Sequence, residues 1–155
     1  MKKLDAIDHR ILTMLQENGK STNKEIANDL GMSITPIYER IKKMEEAGYI
    51  RSYTAIVDRS MLGYELTAFC HVKLQAQHRP FLKRFEQQVD QLDEVSECYH
   101  VTGPYDYFLK AVVKDISDYQ HFITDKLAAL DNIGEVQSSF VLTEVKWKIN
   151  VPITD

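Results

Sequence analysis

Apolar residues at Leu4, Ile7, Ile11, Leu12 and Leu15 follow a three-and-four spacing that puts them on one side of a helix. Asp5 favours its start and Asn18-Gly19 ends it. A second, shorter helix opens at Thr22-Asn23-Lys24-Glu25, where a threonine followed three residues later by a glutamate can cap reciprocally. Ile26, Ala27 and Leu30 form its apolar side, and Gly31 lets the chain leave. Ser33-Ile34-Thr35-Pro36 restarts a helix: Ser33 or Thr35 can cap it, and Pro36 is tolerated in a first turn, where its missing N–H has no partner to lose. In this third helix Ile34, Ile37, Ile41 and Met44 face one way. Thr35, Glu39, Lys42 and Glu46 face the other, with Tyr38 and Lys43 on the flanks. Helix, glycine turn, capped helix is the order of a helix-turn-helix, whose second helix enters the DNA major groove.

Beyond Ile50 the pattern changes. Tyr53-Thr54-Ala55-Ile56-Val57 is rich in β-formers and predicts a strand, which would make a winged variant, begin a linker, or both. Asp58 to Tyr64 has no strong periodicity, and the domain boundary falls there. The chain divides into a reader at 1–52, a strand and linker at 53–64, and a second domain at 65–155. Leu66 to Leu74 alternates as a strand. Pro80 to Leu92 is a helix with Phe81, Phe85, Val89 and Leu92 in one stripe. Val95 to Thr102 is a strand, Gly103-Pro104 a turn, and Tyr107 to Lys114 a strand. Ser117 starts a helix with the stripe Tyr119, Phe122, Ile123, Leu127 and Leu130, and Val136 to Ile149 is a long last strand.

The order β-α-β-β-α-β is the ferredoxin-like split pattern, so the fold class is α+β: a winged helix-turn-helix followed by a βαββαβ domain. Two helices cover one face of a four-stranded sheet. The other face carries Phe69 or its neighbours, Val141, Val145 and Trp147, depending on register. That is too apolar for water and predicts dimerisation.

Charge sharpens the division. The net charge of −4 argues against a general nucleic-acid coat, but it is uneven. Residues 1 to 60 hold ten Lys/Arg, Lys2 and Lys3 among them, against nine Asp/Glu, and residues 61 to 155 hold nine against fourteen. One reader of net charge +1 holds DNA weakly; several on one duplex hold it well. A groove-reading helix needs polar groups near its N-terminus and cations for phosphates. The candidate DNA-contacting residues are therefore Thr22, Asn23, Ser33, Thr35, Pro36, Tyr38, Glu39, Arg40, Lys42 and Lys43.

Other chemistry finds little support. Cys98 and His100, or Cys70 and His71, do not make a structural metal site without further ligands at fitting spacing, and Cys70 reads as a small core residue. Two cysteines make no disulfide framework. No phosphate-cradling glycine loop, nucleophile elbow or acid/base pair points to an enzyme, and nothing calls for a cofactor. With neither a membrane-spanning run nor a signal-peptide pattern, the expected compartment is the cytoplasm.

Three separated motifs in order carry a resemblance. They are Leu4-Asp5-Ala6-Ile7-Asp8 with Ile11-Leu12, Leu15 and Asn18-Gly19; Glu25-Ile26-Ala27, Leu30-Gly31 and Ser33 with Arg40-Ile41, Glu45 and Gly48-Tyr49-Ile50; and His100-Val101-Thr102-Gly103-Pro104-Tyr105-Asp106-Tyr107. Together they resemble the Lrp/AsnC family of transcription regulators over nearly the whole chain. The resemblance implies sequence-specific binding of double-stranded DNA, a C-terminal domain that binds a small effector, commonly an amino acid, and homodimers that assemble further, to octamers of four dimers. It also implies that 53–57 pairs between subunits and that effector pockets lie between dimers.

An amino acid brings a carboxylate and an ammonium. Backbone N–H groups at a glycine turn can take the first and a carboxylate side chain the second. Thr102, Gly103, Pro104, Tyr105 and Asp106 offer both, with Asp106 as the ammonium partner, and Ser138 and Ser139 are candidates to complete the site. Pro104 departs from the acidic residue the family often has there. An architectural DNA-organising protein with little ligand control is the alternative.

Overall fold

The computed structural model describes residues 4–153, so Lys2 and Lys3 lie outside the described residues. The chain forms two compact units: Met1–Ile56 together with Lys146–Asp155, and Val57–Val145.

In the first unit, α1 is Ala6–Glu17, α2 is Asn23–Leu30 and α3 is Ile34–Glu46. The expected capping box closes α2: the Glu25 N–H donates to Thr22 Oγ1 at 3.2 Å and the Thr22 N–H to Glu25 Oε2 at 2.7 Å. A second box closes α1, where Asp5 accepts the N–H groups of Ile7 and Asp8 and donates its own N–H to the Asp8 carboxylate. Gly31, at φ 64°, turns the chain out of α2.

Ser33 occupies the cap position of α3 but makes no side-chain cap bond. Thr35 is instead the second residue of the helix. The third is Pro36, which has no N–H for a cap to bind. At its far end α3 closes through Gly48, at φ 79°, with the Tyr49 N–H reaching back to the Met44 carbonyl at 2.9 Å.

Ile11, Ile26, Ala27, Ile37, Ile41 and Met44 are buried together as this unit's core. Ile34, expected on that side, is 49% exposed, because the first residue of α3 lies beyond the core. The C-terminal segment, expected to stay with residues 65–155, groups from Lys146 onward with the three helices. Gln16 holds it, its side-chain amide exchanging two hydrogen bonds with the Val151 backbone at 2.8 and 3.2 Å.

Within the single chain the strand expected at 53–57 has no ladder partner among the described residues. In the second unit a 3-10 turn at Ser60–Leu62, closed by Gly63, leads to the sheet.

There β1 is Leu66–Leu74, α4 Arg79–Val89, β2 Val95–His100, β3 Tyr107–Val113, α5 Ile116–His121 and β4 Ile133–Phe140, with a π-helical turn Phe122–Leu127 extending α5. The strand order β2-β3-β1-β4, antiparallel throughout, is that of a ferredoxin-like sheet. Ala68, Cys70, Val72 and Leu74 of β1 pack with Tyr107, Leu109, Ala111 and Val113 of β3 against Phe85 and Val89 of α4 and Tyr119, Phe122 and Leu127. Burying that many aliphatic and aromatic side chains, at about 1.5–3 kcal/mol each, is the main force holding this unit.

β4 ends at Phe140, not Ile149. Phe140 pairs with Ala68 and the Val141 N–H bonds the Thr67 carbonyl, but β1 begins at Leu66 and offers nothing further. Val145 and Trp147 therefore lie outside the sheet. The face away from the helices carries Phe69, His71, Phe108 and Lys110, with Phe69 and Phe108 stacked at 5.1 Å.

Candidate functional site

The outward side of α3 carries the larger candidate site. Thr35, Tyr38, Glu39 and Lys42, spaced three, one and three apart, form one stripe, and Lys43 lies beside it. All five are exposed, Tyr38 at 52%. Ser33 and Pro36 sit at the helix start, Ser33 exposed and Pro36 half-buried. Lys42 Nζ lies 3.9 Å from Glu46, a loose pair that leaves its ammonium free to meet a phosphate. Thr22 and Asn23, at the start of α2, are exposed and half-buried; the Thr22 hydroxyl is taken by the capping box.

Arg40 is differently placed. Its guanidinium Nη1 donates to Asp5 at 2.7 Å and to Asp8 at 2.6 Å, tying α3 to the start of α1. The Asp8 backbone N–H, with Arg40 beside it, holds the Asp5 carboxyl below its ordinary value. The structure thus brings Thr35, Tyr38, Glu39, Lys42 and Lys43 together on one face and turns Arg40 to its own protein. Tyr53 is a neighbour that periodicity could not place. Its hydroxyl donates to Glu45 at 2.9 Å, and burial, then that bond, pushes its pKa up to about 12. The chain leaving α3 therefore packs back against the same helix.

The second candidate site is the loop from 101 to 106 between β2 and β3. Thr102, Gly103 and Pro104 are exposed, and Gly103 has φ 123°, a conformation a side chain resists. The loop's base is fixed by the Val101 N–H to the Asp106 carbonyl and the Asp106 N–H to the Val72 carbonyl, both 2.9 Å. One Asp106 carboxylate oxygen also accepts the Leu74 N–H at 2.8 Å, where β1 slips register against β4. Tyr105 leans on His71, ring centres 5.3 Å apart, and donates to Gln137 Oε1 at 2.6 Å.

Alternation along β4 separates the two serines. Ser138 pairs with Cys70 and takes the Tyr119 hydroxyl on the helix-covered side, whereas Ser139 pairs with Phe69 on the open side. Residue 137 is the β4 position beside the loop, and its partner Tyr105 is the signal that sequence spacing lacked. Among the described residues no group of three or more His, Cys, Asp or Glu could hold a metal ion. Cys70 is fully buried, a core residue as expected, and burial raises its thiol pKa.

Known proteins bear on both sites. Residues 4–51 match the family model for a winged helix-turn-helix DNA-binding domain, and residues 67–150 match that for the Lrp/AsnC ligand binding domain. A leucine-responsive regulatory protein of Rhizobium meliloti is 38% identical over 151 residues, covering 97% of each chain. The Bkd operon transcriptional regulator of Pseudomonas aeruginosa is 34% identical over 99% of this chain and 100% of its own. Among solved structures, a transcriptional regulator of Neisseria meningitidis in complex with L-Met superposes with a TM-score of 0.92 at 35% identity, covering 97% of both chains. AsnC of E. coli superposes at 0.89 with 28% identity, over 97% of this chain and 100% of its own.

Proposed function

The chain belongs to the Lrp/AsnC family of transcriptional regulators, and on that premise we propose that α3 reads duplex DNA while the loop at 101–106 answers to a free amino acid. The protein is a DNA-binding transcriptional regulator with an appended ligand-binding domain, not an enzyme. The observation that carries the assignment of α3 is its exposed stripe of Thr35, Tyr38, Glu39 and Lys42, backed by a buried core and flanked by Lys43. Thr22, Asn23, Ser33 and Pro36 border this face. Arg40 serves it by holding α3 against α1.

For the effector, the neighbouring L-Met complex supports an amino acid of modest size. Gly103 exposes backbone to a carboxylate, and Asp106 keeps one oxygen available to an ammonium after bonding Leu74. Thr102, Pro104 and Tyr105 of the loop, with Ser139 on the open side of β4, complete the proposed site, whereas Ser138 supports it through Tyr119. An architectural role without ligand control is not favoured, since a ligand-binding family model spans the second unit.

We further assign dimerisation to the open sheet face, with the dimers assembling further, to four. Phe69 and Phe108 lie on that face, as do two buried polar atoms without a hydrogen-bond partner among the described residues, Thr67 Oγ1 and His71 Nδ1. The reader (1–52), the linker (53–64) and the sensing domain (65–155, its end from Lys146 grouping with the reader helices) act in the cytoplasm, where the DNA is; among the described residues no helix is long and apolar enough to cross a membrane.

The test is DNA affinity measured over a range of salt, with and without each of the twenty amino acids. Affinity should fall steeply with salt, and Lys42→Ala with Lys43→Ala should flatten that slope by about 0.9 for each phosphate no longer neutralised. At least one amino acid should shift affinity, and DNA should shift that amino acid's affinity by the same factor. A slope unchanged in the double variant rejects the assignment of α3. An affinity indifferent to all twenty rejects the effector.

A further inference from the structure

We propose that Glu39 is the base-discriminating residue of α3, accepting a hydrogen bond from the exocyclic N4 amine of a cytosine in the major groove; this rests on the reading of α3 as the DNA-facing helix. Of the three glutamates of α3, Glu45 accepts from Tyr53 at 2.9 Å and Glu46 lies 3.9 Å from Lys42. Glu39 is exposed and has no hydrogen-bond or ion-pair partner among the described residues. It stands in the middle of the outward stripe, one turn after Thr35 and one turn before Lys42 and Lys43.

A carboxylate there is unfavourable towards any duplex, because phosphates and most base-edge atoms repel it. Its cost is offset only where it meets a donor. The major groove offers two base donors, the N4 amine of cytosine and the N6 amine of adenine. Adenine places its N7 acceptor beside N6, which repels the second carboxylate oxygen; cytosine has no acceptor of its own on that edge. Lys42 and Lys43 hold the backbone and fix the register, and Glu39 admits one base and rejects the rest. Arg40, the other charged residue at this level of the helix, is turned to Asp5 and Asp8 and does not compete for the groove.

Selection of duplexes from a randomised pool by the full chain tests this, with the wild type compared with Glu39→Ala and Glu39→Gln. Wild type should return cytosine at one fixed position of each half-site. Glu39→Ala should lose that preference, a drop of roughly 5- to 100-fold in discrimination, while binding random-sequence DNA more tightly. Glu39→Gln should exchange cytosine for adenine, because an amide both donates and accepts and suits N6 and N7 together. Thermal melting of both variants should match wild type, since the side chain is exposed and makes no hydrogen bond or ion pair among the described residues. Retention of the cytosine preference by Glu39→Ala overturns the inference, as does selection of adenine by the wild type. A wild type that retains no duplex at all rejects the DNA-reading role of α3 itself, which is seen before any variant is compared.

Discussion

Asp106 and Arg40 show how much a single charged side chain can mean beyond its position in a motif. Both sit in stretches where sequence suggests a ligand contact, and both are engaged within the protein: Asp106 accepts the Leu74 N–H at 2.8 Å, and Arg40 bridges Asp5 and Asp8. Partners 32 and 35 residues away leave no trace in local spacing. For Asp106 this decides which variant is informative. Alanine would leave the Leu74 N–H without its acceptor, so a lost response would mean little. Asp106→Asn keeps an acceptor oxygen for Leu74 and removes the charge an ammonium needs. It should leave basal DNA binding intact and reduce the amino-acid response at least tenfold, as read by the shift in DNA affinity on adding the effector; a bond to a charged group is commonly worth about 1.5–3 kcal/mol. A full response in this variant removes Asp106 from the site.

At the scale of the element, the helices were the more legible half of the chain. Thr22 with Glu25, and Gly31, mark the bounds of α2 by local chemistry alone, and the structure places them as the spacing predicts. Ser33 stands at the cap position without a side-chain cap bond, and Pro36 removes one of the two N–H groups it could take. The strands were less legible at their ends. Leu66–Leu74 is read correctly from alternation, but β4 stops where β1 runs out, and 53–57 has no ladder partner among the described residues of the chain. A strand's length belongs to its partner as much as to its own residues.

The caps also set an acid limit. The Asp5 and Glu25 carboxyls both lie below their ordinary values of 3.8 and 4.5, chiefly through backbone N–H groups of Asp8 and Thr22. Their stabilisation is therefore full above those values and is lost as pH falls through the lower folded ones. The melting temperature should hold from neutral pH to about pH 5 and decline below about pH 4. Glu25→Gln, which preserves a capping box, should decline less steeply on acidification. An identical acid profile in that variant means the cap does not contribute to it. Thr22→Ala, which removes the other arm, should cost about 1 kcal/mol in chemical unfolding.

For the whole molecule, the proposed dimerisation rests on the sheet with helices on one side. Its open face holds stacked Phe69 and Phe108 and two buried polar atoms, Thr67 Oγ1 and His71 Nδ1, without a hydrogen-bond partner among the described residues. Trp147, read from the sequence as belonging to this face, lies beyond the end of β4 and is no test of it. Phe69→Glu is: a carboxylate on that surface should be desolvated against an apolar partner, and light scattering should show smaller particles. Unchanged particle mass at the same concentration assigns assembly to another surface. The sequence by itself determined the two-part organisation, the helix-turn-helix, the β-α-β-β-α-β order and the face of α3 turned outward. Each of these is written in periodicity and capping, which act over a few residues. Tertiary structure decided which charges stay free for a ligand, where β4 ends, that Ser138 and Ser139 part to opposite faces, and that the C-terminal segment groups with the reader helices. Those outcomes depend on pairings between residues far apart in the chain, and only the folded backbone brings such partners within bonding distance.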